Sequence, residues 1–285
     1  MNVVSDMAAL EKEMTALRLR AGRIAFVPTM GNLHDGHLAL VRQARAASDA
    51  VVVSVFVNPM QFAAHEDLDT YPRTLDDDLS ALQEAGVDLV LTPDTDHIYP
   101  DGSARHTAIH VPVLGDALCG KDRPGHFDGV CTVVYKLFQL VGPDIAVFGE
   151  KDLQQLLIIK KMVTDLSLPI DIQSGPTQRA EDGLALSSRN QYLSASERAV
   201  APLLRQTLQS CGAALTATPD DPPTLIIDPA REALERAGFT VDYLELRELA
   251  TLQLVDRIDQ DCALFVAARL GETRLIDNIQ LAASG

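Results

Sequence analysis

The sequence predicts an α/β protein, with a parallel-sheet N-terminal domain over residues 1–176 and a smaller α+β domain over residues 177–285. Three observations carry this. As far as residue 176, short apolar runs ended by Gly, Pro or Asn alternate with helical stretches, the pattern of a parallel sheet. Beyond it, two helical stretches precede three strand-like runs, the order of helices laid on an antiparallel sheet. Hydrophobic residues make up 47% of 285, enough for real cores and too many for a disordered chain.

The elements follow in order. Residues 5–20 read as a helix, with Met7, Leu10, Met14 and Leu17 at spacings of three and four. Ile24 to Val27 form an apolar run ended by Pro28, a buried strand. Leu38, Leu40, Val41 and Ala44 fall close to the helical period. "AVVVSVFVN" (50–58) is the second strand, and "YPRTLDDDLSALQEAG" (71–86) a loop and then a helix. "DLVLTP" (88–93) is the third strand, "GVCTVVYKLFQLVG" (129–142) an apolar helix and "DIAVFG" (144–149) the fourth strand. "DLQQLLIIKKMVTDL" (152–166) is a helix, and "PIDIQSGP" (169–176) the fifth strand. In the second domain, 194–215 reads as one long helix and 224–238 as another despite Pro229. "FTVDYLELREL", "CALFVAARLG" and "TRLIDNIQL" are strands, the last two a hairpin.

Parallel sheets bind ligands beyond the C-terminal ends of their strands, and the polar motifs lie there. "PTMGNLHDGHLALVRQAR" (28–45) runs from strand through a Gly31–Gly36 loop into a helix. At a helix start the free N–H groups favour an anion, and His34 and His37 share one side of the first turn. A bare H-x-x-H is more often one packed and one solvated histidine, so the rest of the chain must decide. Asn58 and Gln61 end the second strand in "FVNPMQF" (56–62). "GEKD" (149–152) ends the fourth and precedes Gln154 and Gln155, and "DGLALSSRN" (182–190) follows the fifth. Lys151 and Arg189 are the phosphate candidates, one a point charge and the other a two-oxygen clamp. Lys151 at a helix start is badly placed against the helix dipole, and a phosphate would repair that. Ser187 and Ser188 offer hydroxyls and amides. "LDDDL" (75–79) has two readings: stabilising charge at a helix N-terminus, or carboxylates that hold Mg²⁺ with substrate phosphate.

Composition excludes several classes. No apolar run is long enough to span a membrane, and the N-terminus lacks the apolar stretch of a signal peptide. Cysteines at 119, 131, 211 and 262 show no C-x-x-C spacing, so neither a zinc site nor a disulfide framework is expected, and the cytoplasm is the expected compartment. The net charge of −16 argues against nucleic acid as a partner, though an acidic protein can carry a locally positive site. Neither a P-loop nor a G-x-G-x-x-G fingerprint is present.

Together, "PTMGNLHDGHLALV", "FVNPMQF", "YPRTLDDD", "RPGHFDGV", "VFGEKDLQQL" and "DGLALSSRN" closely resemble the motifs of the pantothenate synthetase (pantoate–β-alanine ligase) family, in order and at its spacing. The resemblance runs from residue 1 to about 280. It implies a Rossmann-like first domain and a lid-like second one. It also implies condensation of (R)-pantoate with β-alanine, using ATP and Mg²⁺, through a pantoyl adenylate. On that resemblance Met30, Gly31, Asn32, Leu33, His34, Asp35, Gly36 and His37 line the ATP site, with His37, His34 and Lys151 catalytic. Gly149, Glu150, Lys151, Asp152, Gln178, Leu186, Ser187, Ser188 and Arg189 contact the nucleotide. Gln61, Gln155 and Asn58 are the expected substrate contacts, and Asp77 and Asp78 the expected Mg²⁺ ligands. A homodimer is expected, in part because "AVVVSVFVN" and "RPGHFDGVCTVVYKLF" look too apolar for one small domain. Leu186, Gln178, Ala180 and Asp128 depart from the usual pattern at their positions. The competing readings are a plain adenylyltransferase, a nucleotide-binding regulator without activity, and a structural α/β dimer without ligand, which leaves the clustered polar strand ends unexplained.

Overall fold

A computed structural model describes residues 1–63, 66 and 68–283. The chain divides into two compact units. The first comprises Met1–Asp116, Gly120–Glu150 and Gln154–Pro176. The second comprises Ala117–Cys119, Lys151–Leu153 and Thr177–Gly285, whose last two residues lie outside the described set. The second unit therefore takes in two short segments from before Pro176 as well as everything after it.

In the first unit, β1 (Asn2–Val4) leads into α1 (Met7–Arg20), capped by the Asp6 carboxylate on the Ala9 amide at 2.8 Å. Then come β2 (Ile24–Thr29), α2 (Asp35–Ala47), β3 (Ala50–Val55), α3 (Leu75–Glu84) and β4 (Leu89–Leu91). Two short helices, α4 (Thr95–Ile98) and α5 (Cys119–Asp122), precede α6 (His126–Val141), β5 (Ile145–Gly149), α7 (Leu153–Asp165) and β6 (Asp171–Gly175). The sheet order is β1-β4-β3-β2-β5-β6, and every pairing is parallel. From β2 the chain builds outward through β3 to β4, then returns to place β5 on the other side of β2. That reversal puts a topological switch point between β2 and β5, where open α/β sheets leave a crevice for ligand.

The centre of the sheet is dry. Val51, Val52 and Val53 are fully buried in β3, each worth about 1.5–3 kcal/mol relative to exposure. Ala25, Val27, Val41, Ala44, Ile145 and Val147 join two of them in one core. Most apolar residues of α6, from Phe127 to Val141, are likewise buried, while Tyr135 and Leu140 are half-buried.

In the second unit, α8 (Ala195–Val200), α9 (Leu203–Ala217) and α10 (Thr224–Arg236) precede β7 (Thr240–Glu248), β8 (Cys262–Leu270) and β9 (Thr273–Leu281). The three strands form an antiparallel sheet in the order β7-β8-β9. Leu204, Leu208, Cys211, Leu215 and Leu234 of the helices pack with Leu264, Val266 and Leu275 of the strands.

Three expectations need correction. The sheet has six strands rather than five, because Asn2–Val4 adds an edge strand beside β4. Three residues with one buried side chain leave no periodicity to read. The expected helix over 194–215 is two helices: Pro202, which has no N–H to donate, sits at the break before Leu203. The strand expected over 50–58 ends at Val55, because Asn58 and Pro59 open a tight turn instead. Pro229 does lie inside α10.

Candidate active site

The C-terminal end of β2 turns sharply. Gly31 and Asn32 both take left-handed backbone, at φ 80° and 49°. Gly31 is required there: a Cβ would stand 3.0 Å from both Asp78 Oδ2 and Val55 Cγ1. The Thr29 hydroxyl accepts from the Gly31 amide at 3.3 Å and donates to the Ser54 carbonyl at 2.7 Å. The next two amides, of Asn32 and Leu33, donate to the Asp78 carboxylate at 2.9 and 2.8 Å. Asp78 stands in the first turn of α3 and is 3% exposed.

Then the histidines take over. The His34 amide donates to His37 Nδ1 at 3.3 Å, and the Gly36 amide to His34 Nδ1 at 3.1 Å. His34 is the N-cap of α2, and the two rings lie 4.1 Å apart at 35°. A neutral imidazole that accepts at Nδ1 carries its proton on Nε2. Both rings are therefore Nε2–H donors. Asp78 and the two rings take the amides of Asn32, Leu33, His34 and Gly36, so these four are engaged within the chain. The loop can present imidazole N–H to an anion as well.

A second cluster surrounds Gln61. Asn58 caps the Pro59–Gln61 turn by accepting from the Met60 amide at 3.3 Å. Its amide is fully enclosed, 1% exposed. The Tyr99 hydroxyl donates to Asn58 Oδ1 at 2.8 Å, which identifies the other end as the NH₂. That NH₂ donates to the Gly129 carbonyl at 3.1 Å and to Gln61 Oε1 at 3.2 Å. Gln61 Nε2 meets Met30 Sδ at 3.1 Å. The Gln61 carbonyl is held separately, by His126 Nδ1 at 2.8 Å and Arg123 Nη2 at 3.3 Å. Arg123 can only donate, so His126 Nε2, 3.0 Å from Nη1, accepts and the ring proton sits on Nδ1. Glu66 grips Arg123 with both oxygens, at 2.5 and 2.7 Å. Burial pushes the Glu66 carboxyl up, but the hydrogen bonds and charge of Arg123 outweigh it and hold the pKa below its ordinary value.

Sequence reasoning singled out Asn58 and Gln61 but not Glu66, Tyr99, Arg123 or His126. "RPGHF" was a visible signal for two of them. Tyr99 and Glu66 carry no local motif that links them to residues 41 and 57 positions away. Gln154 is buried, donating to the Leu114 carbonyl at 2.9 Å, whereas Gln155 beside it is half-buried in the first turn of α7.

Lys151 belongs to the second unit and lies in a 3₁₀ turn, Glu150–Asp152, ahead of α7 rather than in the helix itself. Its ammonium is 3.7 Å from the Asp152 carboxylate, which relieves part of the mismatch with the helix dipole. The Asn278 side chain donates to the Lys151 carbonyl at 3.1 Å. Gln178 and Leu186 face each other across a turn, the Leu186 amide donating to the Gln178 carbonyl at 2.9 Å. Ser187 caps the Ser188–Tyr192 turn by accepting from the Arg189 amide at 3.3 Å. Asp77 is exposed beside Asp78 at the start of α3. Among the described residues, no group of three or more His, Cys, Asp or Glu is placed to hold a metal ion. The four cysteines are free and buried, and burial pushes the Cys131 thiol up to about 12. Among the described residues, no helix is long and apolar enough to cross a membrane.

A parallel α/β sheet with a paired-histidine loop at its switch point defines the class: a fold that takes its ligand at the carboxyl ends of β2 and β5. A family model described as pantoate-beta-alanine ligase matches residues 2–280. The chain belongs to the pantoate–β-alanine ligase family. It is 52% identical over 281 residues to a pantothenate synthetase of Pseudomonas aeruginosa, covering 99% of each chain. It is 54% identical over 279 residues to one of Chromohalobacter salexigens, covering 98% of each. The crystal structure of a pantothenate synthetase from Thermus thermophilus superposes with a TM-score of 0.90 at 45% identity, covering 98% of this chain and 99% of that one. A pantoate-beta-alanine ligase from Francisella tularensis, complexed with beta-gamma ATP and beta-alanine, gives 0.82 at 33% identity, covering 98% and 97%.

Proposed function

We propose that this protein makes pantothenate from (R)-pantoate, β-alanine and ATP by the two-step route of its family. A pantoate carboxylate oxygen attacks the α-phosphorus of ATP, the bond to the β-phosphate oxygen breaks, and pyrophosphate leaves. The amine of β-alanine then attacks the acyl carbon of the pantoyl adenylate, the acyl–oxygen bond breaks, and AMP leaves as the nitrogen gives up a proton.

The observation that carries the reading is the pair of Nε2–H imidazoles on the β2–α2 loop, fixed by backbone amides on their Nδ1 atoms. Attack on phosphorus needs no protein nucleophile. It needs alignment and donors aimed at oxygens that gain charge as pyrophosphate departs. His34 and His37 fill that role as neutral donors, and Lys151 adds a full charge. Met30 to His37, Gly149 to Asp152, Gln178 and Leu186 to Arg189 contact the nucleotide. Gln61 and Gln155 hold pantoate, and Gln61 also meets β-alanine. Asn58, enclosed by Tyr99, Gly129 and Gln61, acts on substrate through Gln61.

Mg²⁺ bound with ATP neutralises charge on the triphosphate. Asp77, exposed at the start of α3, suits that ion, which is commonly held by one or two carboxylates and phosphate oxygens. Four free, buried cysteines agree with a reducing compartment such as the cytoplasm. A homodimer rests partly on the family resemblance and partly on the apolar runs at 50–58 and 123–138, and a monomer mass by light scattering at micromolar concentration would remove it.

The test is a reaction with ATP, Mg²⁺, pantoate and β-alanine, scored for AMP and pantothenate. AMP should appear only when both acids are present. Pyrophosphate without AMP in the complete mixture would mark an adenylyltransferase instead.

A further inference from the structure

We propose that Asp78 is a positioning residue for the paired histidines, holding the Asn32 and Leu33 amides, and is not a ligand of Mg²⁺. A carboxylate that is 3% exposed needs partners for its charge. Here the partners are the loop: Oδ2 accepts from the Asn32 amide at 2.9 Å and Oδ1 from the Leu33 amide at 2.8 Å. The Thr74 hydroxyl also donates to Oδ1, at 3.3 Å. On the other side a Cβ at Gly31 would lie 3.0 Å from Oδ2, so the loop sits flush against that oxygen. Both oxygens thus face N–H or O–H donors, whose partial positive charge opposes a dication. Asp77, one residue earlier, is exposed and carries no such bonds to the loop.

The consequence reaches the chemistry through consecutive amides. Asn32 sits at φ 49°, a left-handed conformation that is uphill for a residue with a Cβ. The bonds from Asn32 and Leu33 to Asp78 hold it there. The very next amide, of His34, is the one that fixes His37 by its Nδ1, and His34 is itself fixed by Gly36. Freeing residues 32 and 33 would let the register of the His34 amide drift, and with it the direction of both Nε2–H donors. The acid therefore acts on the reaction at one remove, through the imidazoles. This inference rests on the reading that His34 and His37 donate to phosphate.

The experiment compares wild type with Asp78→Asn, which keeps the shape but turns an NH₂ toward one of the two amides. Thr74→Val, which removes only the hydroxyl bond, serves as a milder second variant. Adenylate formation in a single turnover should fall on the order of 10²-fold in Asp78→Asn, the effect of misplacing groups by about 1 Å. In Thr74→Val the fall should be several-fold. The Mg²⁺ concentration for half-maximal rate should stay within about twofold of wild type in both, and excess Mg²⁺ should restore nothing. In the ligand-free protein, ¹⁵N spectra of the ring nitrogens should show the Nε2–H form of His37 in wild type and a mixture of tautomers in Asp78→Asn. Recovery of the rate by excess Mg²⁺ would overturn the proposal, as would a wild-type rate in a folded Asp78→Asn. If Asp78→Asn does not fold, Thr74→Val decides, and a wild-type rate there overturns it equally. If wild type itself forms no AMP, the proposed reaction is what fails. The ring-nitrogen spectra then decide the clamp alone, and an unchanged tautomer in Asp78→Asn rejects it.

Discussion

Replacing Gly129 by alanine sets two magnitudes against each other. Gly129 is in the first turn of α6, where alanine is intrinsically favoured over glycine by about 1 kcal/mol. Yet a Cβ there would stand 2.8 Å from the Gln61 amide nitrogen and 2.5 Å from the Met60 carbonyl carbon, and would press on the Met60 oxygen as well. These are backbone atoms with no rotamer to yield. Restoring an ordinary carbon–carbon separation of about 3.5 Å requires the Pro59–Gln61 turn to retreat by roughly 1 Å. Overpacking of that kind costs about 1–3 kcal/mol, and the Asn58–Gly129 hydrogen bond, worth about 1 kcal/mol, would stretch with it. The clash wins, leaving a net loss of about 1–3 kcal/mol, or a fall in Tm of roughly 2–10 °C. Gln61 moves with the turn, so kcat/KM for pantoate should drop on the order of 10²-fold, more than the loss of stability explains. Calorimetry and initial-rate measurement of pantothenate formation check both. A Tm at or above wild type with unchanged kcat/KM would refute the reasoning.

His37→Ala and Lys151→Ala should each slow single-turnover adenylate formation by about 10²–10³-fold, the usual loss when one donor to developing charge is removed, with far-ultraviolet dichroism unchanged. A near wild-type rate in either variant removes that residue from its assigned role. Tyr99→Phe deletes one of two donors to a buried amide oxygen, the Met60 amide remaining, and should destabilise the protein by about 0.5–1.5 kcal/mol in urea, while raising KM for pantoate more than for ATP. Unchanged values of both would show that Tyr99 does not orient Asn58. The Asp128 carboxylate, hydrogen-bonded to His110 Nδ1 at 2.9 Å, holds the His110 pKa above its ordinary value. That pair therefore stabilises the fold below the ordinary histidine pKa and ceases to do so as pH rises through the raised one. Asp128→Asn should bring the His110 titration back toward its ordinary position by NMR, and an unmoved titration would contradict the assignment.

The sequence by itself determined the parallel α/β sheet and the motifs that line its strand ends. The reason is local: apolar runs such as Val51–Val53 and their glycine or proline stops are set by neighbours in the chain. The glycine loop at Gly31 leading into a helix belongs to this legible part, since backbone sterics act over a few residues, whereas the cap at His34 appears only in the structure. Asn2–Val4 shows the limit of such reading, because its strand exists only through pairing with Leu89–Leu91. The break at Pro202 was written in the chain, yet one proline could be read either as a break or, like Pro229, as a residue carried inside a helix. What only the tertiary structure decided is how polar groups are shared out. Asp78 and the Asn32 amide are 46 residues apart, Tyr99 and Asn58 are 41 apart, and Arg123 and Glu66 are 57 apart. Each pair exists because a buried polar group must find a partner wherever the fold brings one, and no local pattern records that choice. An acidic run thereby divides into an exposed Asp77 and a buried Asp78 that grips the histidine loop.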